Sequence, residues 1–201
     1  LKADADIAPL LVKYQLSLIG RFGNRPIYRL KALGQGKVKE TVEALARKPA
    51  VRMAVANAKQ AGMAPFFKNM PWAIGQSDTM AEQWALHTVR LDDAHRITRG
   101  KGIRIAVLDS GMDASHPTLA GRLLRGFDFV DGDNSPSEKG DPSGGTYGHG
   151  THVAGILAQV APEARIIPMR ILDVHGTSNT WVLAEAMLRA MDPDGDPTTD
   201  D

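Results

Sequence analysis

The run Ile103-Arg104-Ile105-Ala106-Val107-Leu108, ending in Asp109-Ser110-Gly111, restricts the possible folds most. It is short and mostly apolar, as expected of a parallel strand covered on both faces, and this places the chain in the α/β class. Asp109 sits at the carboxyl end of that strand, the edge of an open α/β sheet where departing loops converge and ligands and chemistry collect. A second stretch, Gly148-His149-Gly150-Thr151-His152-Val153-Ala154-Gly155, opens a different element. From Val153 to Val160 the chain is apolar or small on nearly every side, which predicts a buried helix; Gly150, Ala154 and Gly155 would let neighbours approach closely. An imidazole at a helix N-terminus feels a positive potential that disfavours its protonation. A carboxylate partner offsets that potential, so Asp109 beside His149 would make a tunable base. Alone, a strand-end Asp reads as a turn former and a lone His as a structural residue. The two together, each within its own glycine-bearing motif, point to chemistry.

Three stretches carry a resemblance to the subtilisin-like serine proteases, the subtilase family. They are Asp109-Ser110-Gly111-Met112-Asp113 with His116-Pro117 just beyond, the Gly148–Gly155 motif, and Ala161-Pro162-Glu163-Ala164-Arg165-Ile166-Ile167-Pro168-Met169-Arg170-Ile171-Leu172. The resemblance extends over roughly the second half of the chain. It implies a partial subtilisin-like parallel sheet with flanking helices and peptide-bond hydrolysis through an acyl-enzyme. His149 would be general base and then acid, and Asp109 would hold its tautomer and stabilise the imidazolium. No cofactor is required for that chemistry. Gly176-Thr177-Ser178 imitates the family's nucleophile motif, Gly-Thr-Ser-Met-Ala-x-Pro, but continues as Asn179-Thr180-Trp181. It resembles instead the segment lining the family's substrate cleft, where a peptide or protein substrate adds as a strand. On that reading Gly176 and Ser178 meet substrate and Leu172 and Leu183 help form an apolar pocket; ordinary core packing is the alternative for both leucines. The oxyanion-hole Asn and the nucleophilic Ser are expected beyond Asp201. A noncatalytic peptide-binding protein on the same fold is the competing function, separated from the enzyme by whether that nucleophile motif follows. His149-x-x-His152 lacks the Glu of a zinc-protease helix, and the chain has no cysteine.

Formal net charge is only +1, yet residues 1–75 hold 13 Lys and Arg against 4 Asp and Glu, while residues 76–201 hold 11 against 19. Opposite signs predict two units that attract each other. With no Arg-rich or aromatic-interleaved cluster, a nucleic-acid partner is not expected. Zero cysteines exclude a disulfide scaffold. No apolar run is long enough to span a bilayer. The chain starts at Leu1 without a signal-peptide pattern, so the start reads as trimmed. Secretion is what the family resemblance implies.

The first half predicts a small α+β domain, residues 1–62, ahead of the catalytic part, residues 63–201. Residues 5–13 have weak helical character. Gln15–Leu18 and Pro26–Lys31 alternate around Gly23-Asn24, a hairpin signal. Val38, Val42 and Leu45 share a helical face, and Val51, Met53 and Val55 alternate as a strand. This order is similar to the later part of the inhibitory propeptide of many subtilases, which would make the segment an intramolecular inhibitor. Residues 57–75, with Gly62, Pro65 and Pro71, read as a linker holding the processing site. Short helices are expected over Trp84–Arg99, strands over Arg122–Val130 and Ile166–Leu172, and a helix over Thr180–Met191. In the turn Asp128-Phe129-Val130-Asp131-Gly132-Asp133, the three carboxylates at that spacing could converge on a structural calcium; a solvated acidic turn is the alternative. Residues 136–147 return the chain to His149, and Asp192–Pro197 close it as an acidic loop.

Overall fold

The computed structural model describes residues 1–2, 5–34, 37–61 and 84–192. Contacts group the described residues of Leu1–Lys59 and Asn179–Asp201 into one compact unit and those of Gln60–Ser178 into a second. The boundary near residue 62 and most of the expected processing segment lie outside the described residues.

In the first unit, α1 (Ala8–Lys13) leads into the antiparallel pair β1 (Leu16–Arg21) and β2 (Tyr28–Ala32). The turn between them has Gly23 at φ 45, the left-handed conformation that glycine adopts without a Cβ penalty. α2 (Val38–Ala46) follows and buries Leu45. The alternation at Val51, Met53 and Val55 does not become a strand: among the described residues the segment has no ladder partner, and Met53 and Val55 stay 74% and 60% exposed. Alternation specifies a strand only where a neighbour supplies the ladder and a covering layer. The short strands β3 (Lys59–Ala61) and, much later, β7 (Thr177–Asn179) make a two-stranded sheet.

In the second unit, α3 (Trp84–Thr88) and α4 (Leu91–Ile97) precede β4 (Arg104–Asp109). A 3-10 turn (Pro117–Leu119) and β5 (Phe127–Asp128) lead through a long loop to α5 (His149–Val160) and β6 (Arg165–Arg170). The sheet is parallel, in the order β4-β6-β5, with Asp109 opposite Arg170 and Asp128 opposite the same Arg170. Val107, Met112, Leu119, Ala154, Ala158 and Ile166 form the core between α5 and the sheet. The expected strand over Arg122–Val130 shrinks to two residues plus a bridge from Leu123 to Ile166. Between these pairings the chain faces Pro168, which has no N–H to donate, and a Cβ on Gly126 would overlap the Pro168 carbonyl oxygen. α5 is less enclosed than its composition implies, with Ile156 and Val160 each 47% exposed. The last helix, α6 (Thr180–Met191), matches the expected span and is capped by Asn179, whose side chain accepts from Val182 N–H at 3.1 Å. It clusters with the first unit, where Trp181 stacks on Phe22 at 4.0 Å and Arg25 pairs with Asp192.

Candidate active site

The last residue of β4 and the first of α5 meet. His149 Nδ1 and Asp109 Oδ1 lie 2.6 Å apart. An ionised carboxylate only accepts, so Nδ1 donates, and this fixes the neutral imidazole in the tautomer whose acceptor nitrogen is Nε2. Asp109 is held in turn. Its Oδ1 also accepts from Ser110 N–H at 2.7 Å, and its backbone carbonyl accepts from Ile171 and Leu172 N–H. The side chain of Asp109 is largely buried, while one third of that of His149 remains exposed. The bond to Asp109 raises the imidazole pKa above its ordinary value, against an opposing push from burial; the charges of Asp109 and Glu138 add to the rise.

Close approach depends on glycine. A Cβ at Gly150 would overlap the Gly111 carbonyl oxygen and stand 3.2 Å from Asp109 Cβ. Gly148, the N-cap of α5, adopts φ 84 and provides no capping side chain. The free N–H groups of the first turn are met from elsewhere. Gly150 N–H donates to Ser110 Oγ at 3.1 Å, and Thr151 N–H to Glu138 Oε1 at 3.0 Å. The Ser110 N–H bonds the Asp109 carboxylate, while its hydroxyl donates to Glu138 Oε2 at 3.0 Å.

The carboxylates of the acidic turn meet protein cations. Asp128 Oδ2 accepts from Arg170 at 2.8 Å and lies 3.2 Å from Lys139 Nζ; Asp131 Oδ2 accepts from both, at 2.9 and 2.6 Å. Asp133 Oδ1 accepts from Ser135 N–H, and its other oxygen is 3.8 Å from Lys139 Nζ. Asp128 Oδ1 is taken by Val130 and Asp131 N–H. Burial alone would raise the pKa of Asp128, but these bonds outweigh it and hold it below the usual range. Asp128 and Asp131 thus each pair with two protein cations, Arg170 and Lys139, and Asp133 lies near Lys139 alone. Among the described residues no group of three acidic or imidazole side chains is arranged for a metal.

Leu172, Gly176 and Ser178 lie in the second unit and Leu183 in the first. Gly176 takes φ 70 in a turn where its N–H donates to Asp173, and Ser178 Oγ is buried without a hydrogen-bond partner. Leu183 is 39% exposed on α6. Glu138, Lys139 and Arg170 join the site without a role marked in any sequence motif. Arg170 had a signal: a cation inside the apolar run Ile166–Leu172 requires a buried acid. Glu138 and Lys139 sit in a Pro, Ser and Gly-rich loop whose path no local pattern reveals.

Residues 100–196 match the model of the Subtilase family. The chain is 32% identical over 175 residues to a thermophilic serine proteinase of Bacillus sp. (strain AK1), covering 82% of this chain and 40% of that protein. It is 41% identical over 96 residues to the major intracellular serine protease of Bacillus subtilis (strain 168), covering 42% of this chain and 29% of that protein. Fervidolysin from Fervidobacterium pennivorans, described as a keratinolytic enzyme related to subtilisin, superposes with a TM-score of 0.57 at 19% identity, over 93% of this chain and 32% of its own; that likeness concerns the fold. The chain thus spans 40% or less of the length of these relatives. Among the described residues no helix is long and apolar enough to cross a membrane. With an Asp–His pair at the carboxyl edge of a parallel sheet and a family match over the same residues, residues 100–196 belong to the subtilase family.

Proposed function

We propose that this chain is the N-terminal part of a serine endopeptidase that cleaves peptide bonds through an acyl-enzyme. The observation that carries the reading is the 2.6 Å bond between Asp109 and His149. His149 takes the proton of a serine as it attacks and returns it to the leaving amine, while Asp109 stabilises the imidazolium between those steps. The serine and the oxyanion-hole donor are assigned beyond Asp201. Leu172, Gly176, Ser178 and Leu183 are assigned to the substrate cleft, and residues 1–62 to an intramolecular inhibitor. Secretion rests on the family resemblance alone, since the matched relatives include an intracellular protease.

The test pairs residues 1–201 with a longer protein carrying a downstream Gly-Thr-Ser-Met-Ala motif. The 201-residue chain should show no turnover of a peptide substrate and no labelling by a serine-directed phosphonate. The longer protein should show both, and its turnover should fall roughly 10⁴-fold or more in Asp109→Asn. Labelling of Ser178 in the short chain would show the nucleophile to be misplaced. A longer protein without the motif that still binds peptides would favour the noncatalytic reading.

A further inference from the structure

Glu138 belongs to neither strand nor helix, yet it makes three hydrogen bonds to the two elements that carry Asp109 and His149. Oε1 accepts from Thr151 N–H at 3.0 Å and from Thr151 Oγ–H at 2.9 Å; Oε2 accepts from Ser110 Oγ–H at 3.0 Å. One carboxylate therefore ties the residue after Asp109 to the residue two beyond His149. The tie continues on both sides. Ser110 Oγ accepts from Gly150 N–H at 3.1 Å, and Thr151 Oγ1 accepts from Asp113 N–H at 2.9 Å. Because Gly148 has no side chain to cap α5, the second and third N–H groups of the helix are satisfied wholly through Ser110 and Glu138. A carboxylate at this end of a helix also faces the positive end of its dipole.

The next residue anchors the loop. Lys139 Nζ donates to Asp131 at 2.6 Å and lies 3.2 Å from the buried Asp128, which Arg170 on β6 also holds. Glu138 is thus aimed by a fixed neighbour. On the other face of the loop, a Cβ at Gly111 would overlap the Ser137 carbonyl oxygen, so the loop lies directly against the turn that follows Asp109.

We propose, on the reading of Asp109 and His149 as the catalytic pair, that Glu138 is a positioning residue: it clamps the β4 turn to the first turn of α5 and places a second negative charge behind the imidazole. It touches no reacting atom. It acts by keeping the Asp109–His149 bond in register and by favouring the imidazolium that forms during proton transfer. Two charges that favour the imidazolium are Asp109 from β4 and Glu138 from the loop.

The test uses His149 itself. In the 201-residue chain, the His149 ring is followed by NMR against pH in the parent, Glu138→Gln and Glu138→Ala. Gln keeps the size and an acceptor for Thr151 but removes the charge, so its His149 midpoint should fall below the parent's; Ala should lower it further and weaken the bonded Nδ1 proton signal. A His149 midpoint in folded Glu138→Gln equal to the parent's would overturn the proposal, and Gln keeps the test decisive if Ala fails to fold. In a longer protein with turnover, Glu138→Gln should lower kcat roughly tenfold with KM little changed. Absence of turnover in that parent would count against the protease reading, while the titration still decides the role of Glu138.

Discussion

His149 lies between opposing influences. The helix end and burial disfavour its charged form, whereas Asp109 in contact and Glu138 behind it favour that form, and the balance raises its pKa. The consequence for stability has a definite sign. A group whose pKa is higher folded than unfolded adds stability that is fully present below the unfolded value, about 6.5 for His, and is lost as pH rises through the folded value. The thermal midpoint of the parent should therefore exceed that of His149→Gln by more at pH 5.5 than at pH 8.5, measured by scanning calorimetry on the same 201-residue chain. A difference that grows with pH would mean that Asp109 does not stabilise the imidazolium.

At the scale of elements, α5 sits on β4 because position 150 has no side chain. Gly150→Ala would drive a methyl into the Gly111 carbonyl and against Asp109, forcing the helix outward. The expected result is destabilisation by about 1–3 kcal/mol in urea unfolding, together with loss of the Asp109–His149 proton signal. The β6 edge has a different device. Arg170 and Asp128 are 3% and 0% exposed, and Lys139 caps the pair from the loop. Arg170→Met leaves Asp128 buried with one cation instead of two and should cost about 3–5 kcal/mol. Added calcium tests the same carboxylates: a rise in the parent's thermal midpoint that Asp131→Ala abolishes would assign them to the ion, and no rise would leave them to Arg170 and Lys139 alone.

For the molecule as a whole, charge separates along the chain: residues 1–75 are basic and the remainder acidic. If residues 1–62 are the inhibitor, adding that segment in trans to an active longer protein should slow peptide hydrolysis, more strongly at low salt, where surface attraction is less screened. No inhibition at any ratio would reject the assignment. The first compact unit adds a condition. Phe22 is covered by Trp181 and Arg25 is paired with Asp192, both contributed from beyond residue 178. A segment ending at residue 62 lacks these partners, so it should unfold with less cooperativity than the same segment co-expressed with residues 179–192.

The sequence by itself determined what short-range pattern can encode. The apolar run ending in Asp109, the small-residue helix opened by His149, the hairpin around Gly23 and the span of α6 follow from periodicity and from residues with special backbone freedom. Even the Asp109–His149 pair was legible, because each residue sits at the end of a well-marked element and the α/β architecture brings such ends together. What the pattern could not supply was any contact whose partner lies on an unpatterned loop. Glu138 and Lys139 look like ordinary solvated loop charges until the chain folds back over Gly111. The pairing of the acidic turn with Arg170 is out of reach of local spacing because Arg170 comes 39 residues after Asp131. The alternation at Val51, Met53 and Val55 lacks a strand because none of the described residues offers it a ladder, and α6 joins the first unit because an aromatic face at Phe22 receives Trp181. In each case the deciding energy is burial or ion pairing between residues remote in sequence, which only the tertiary structure brings together.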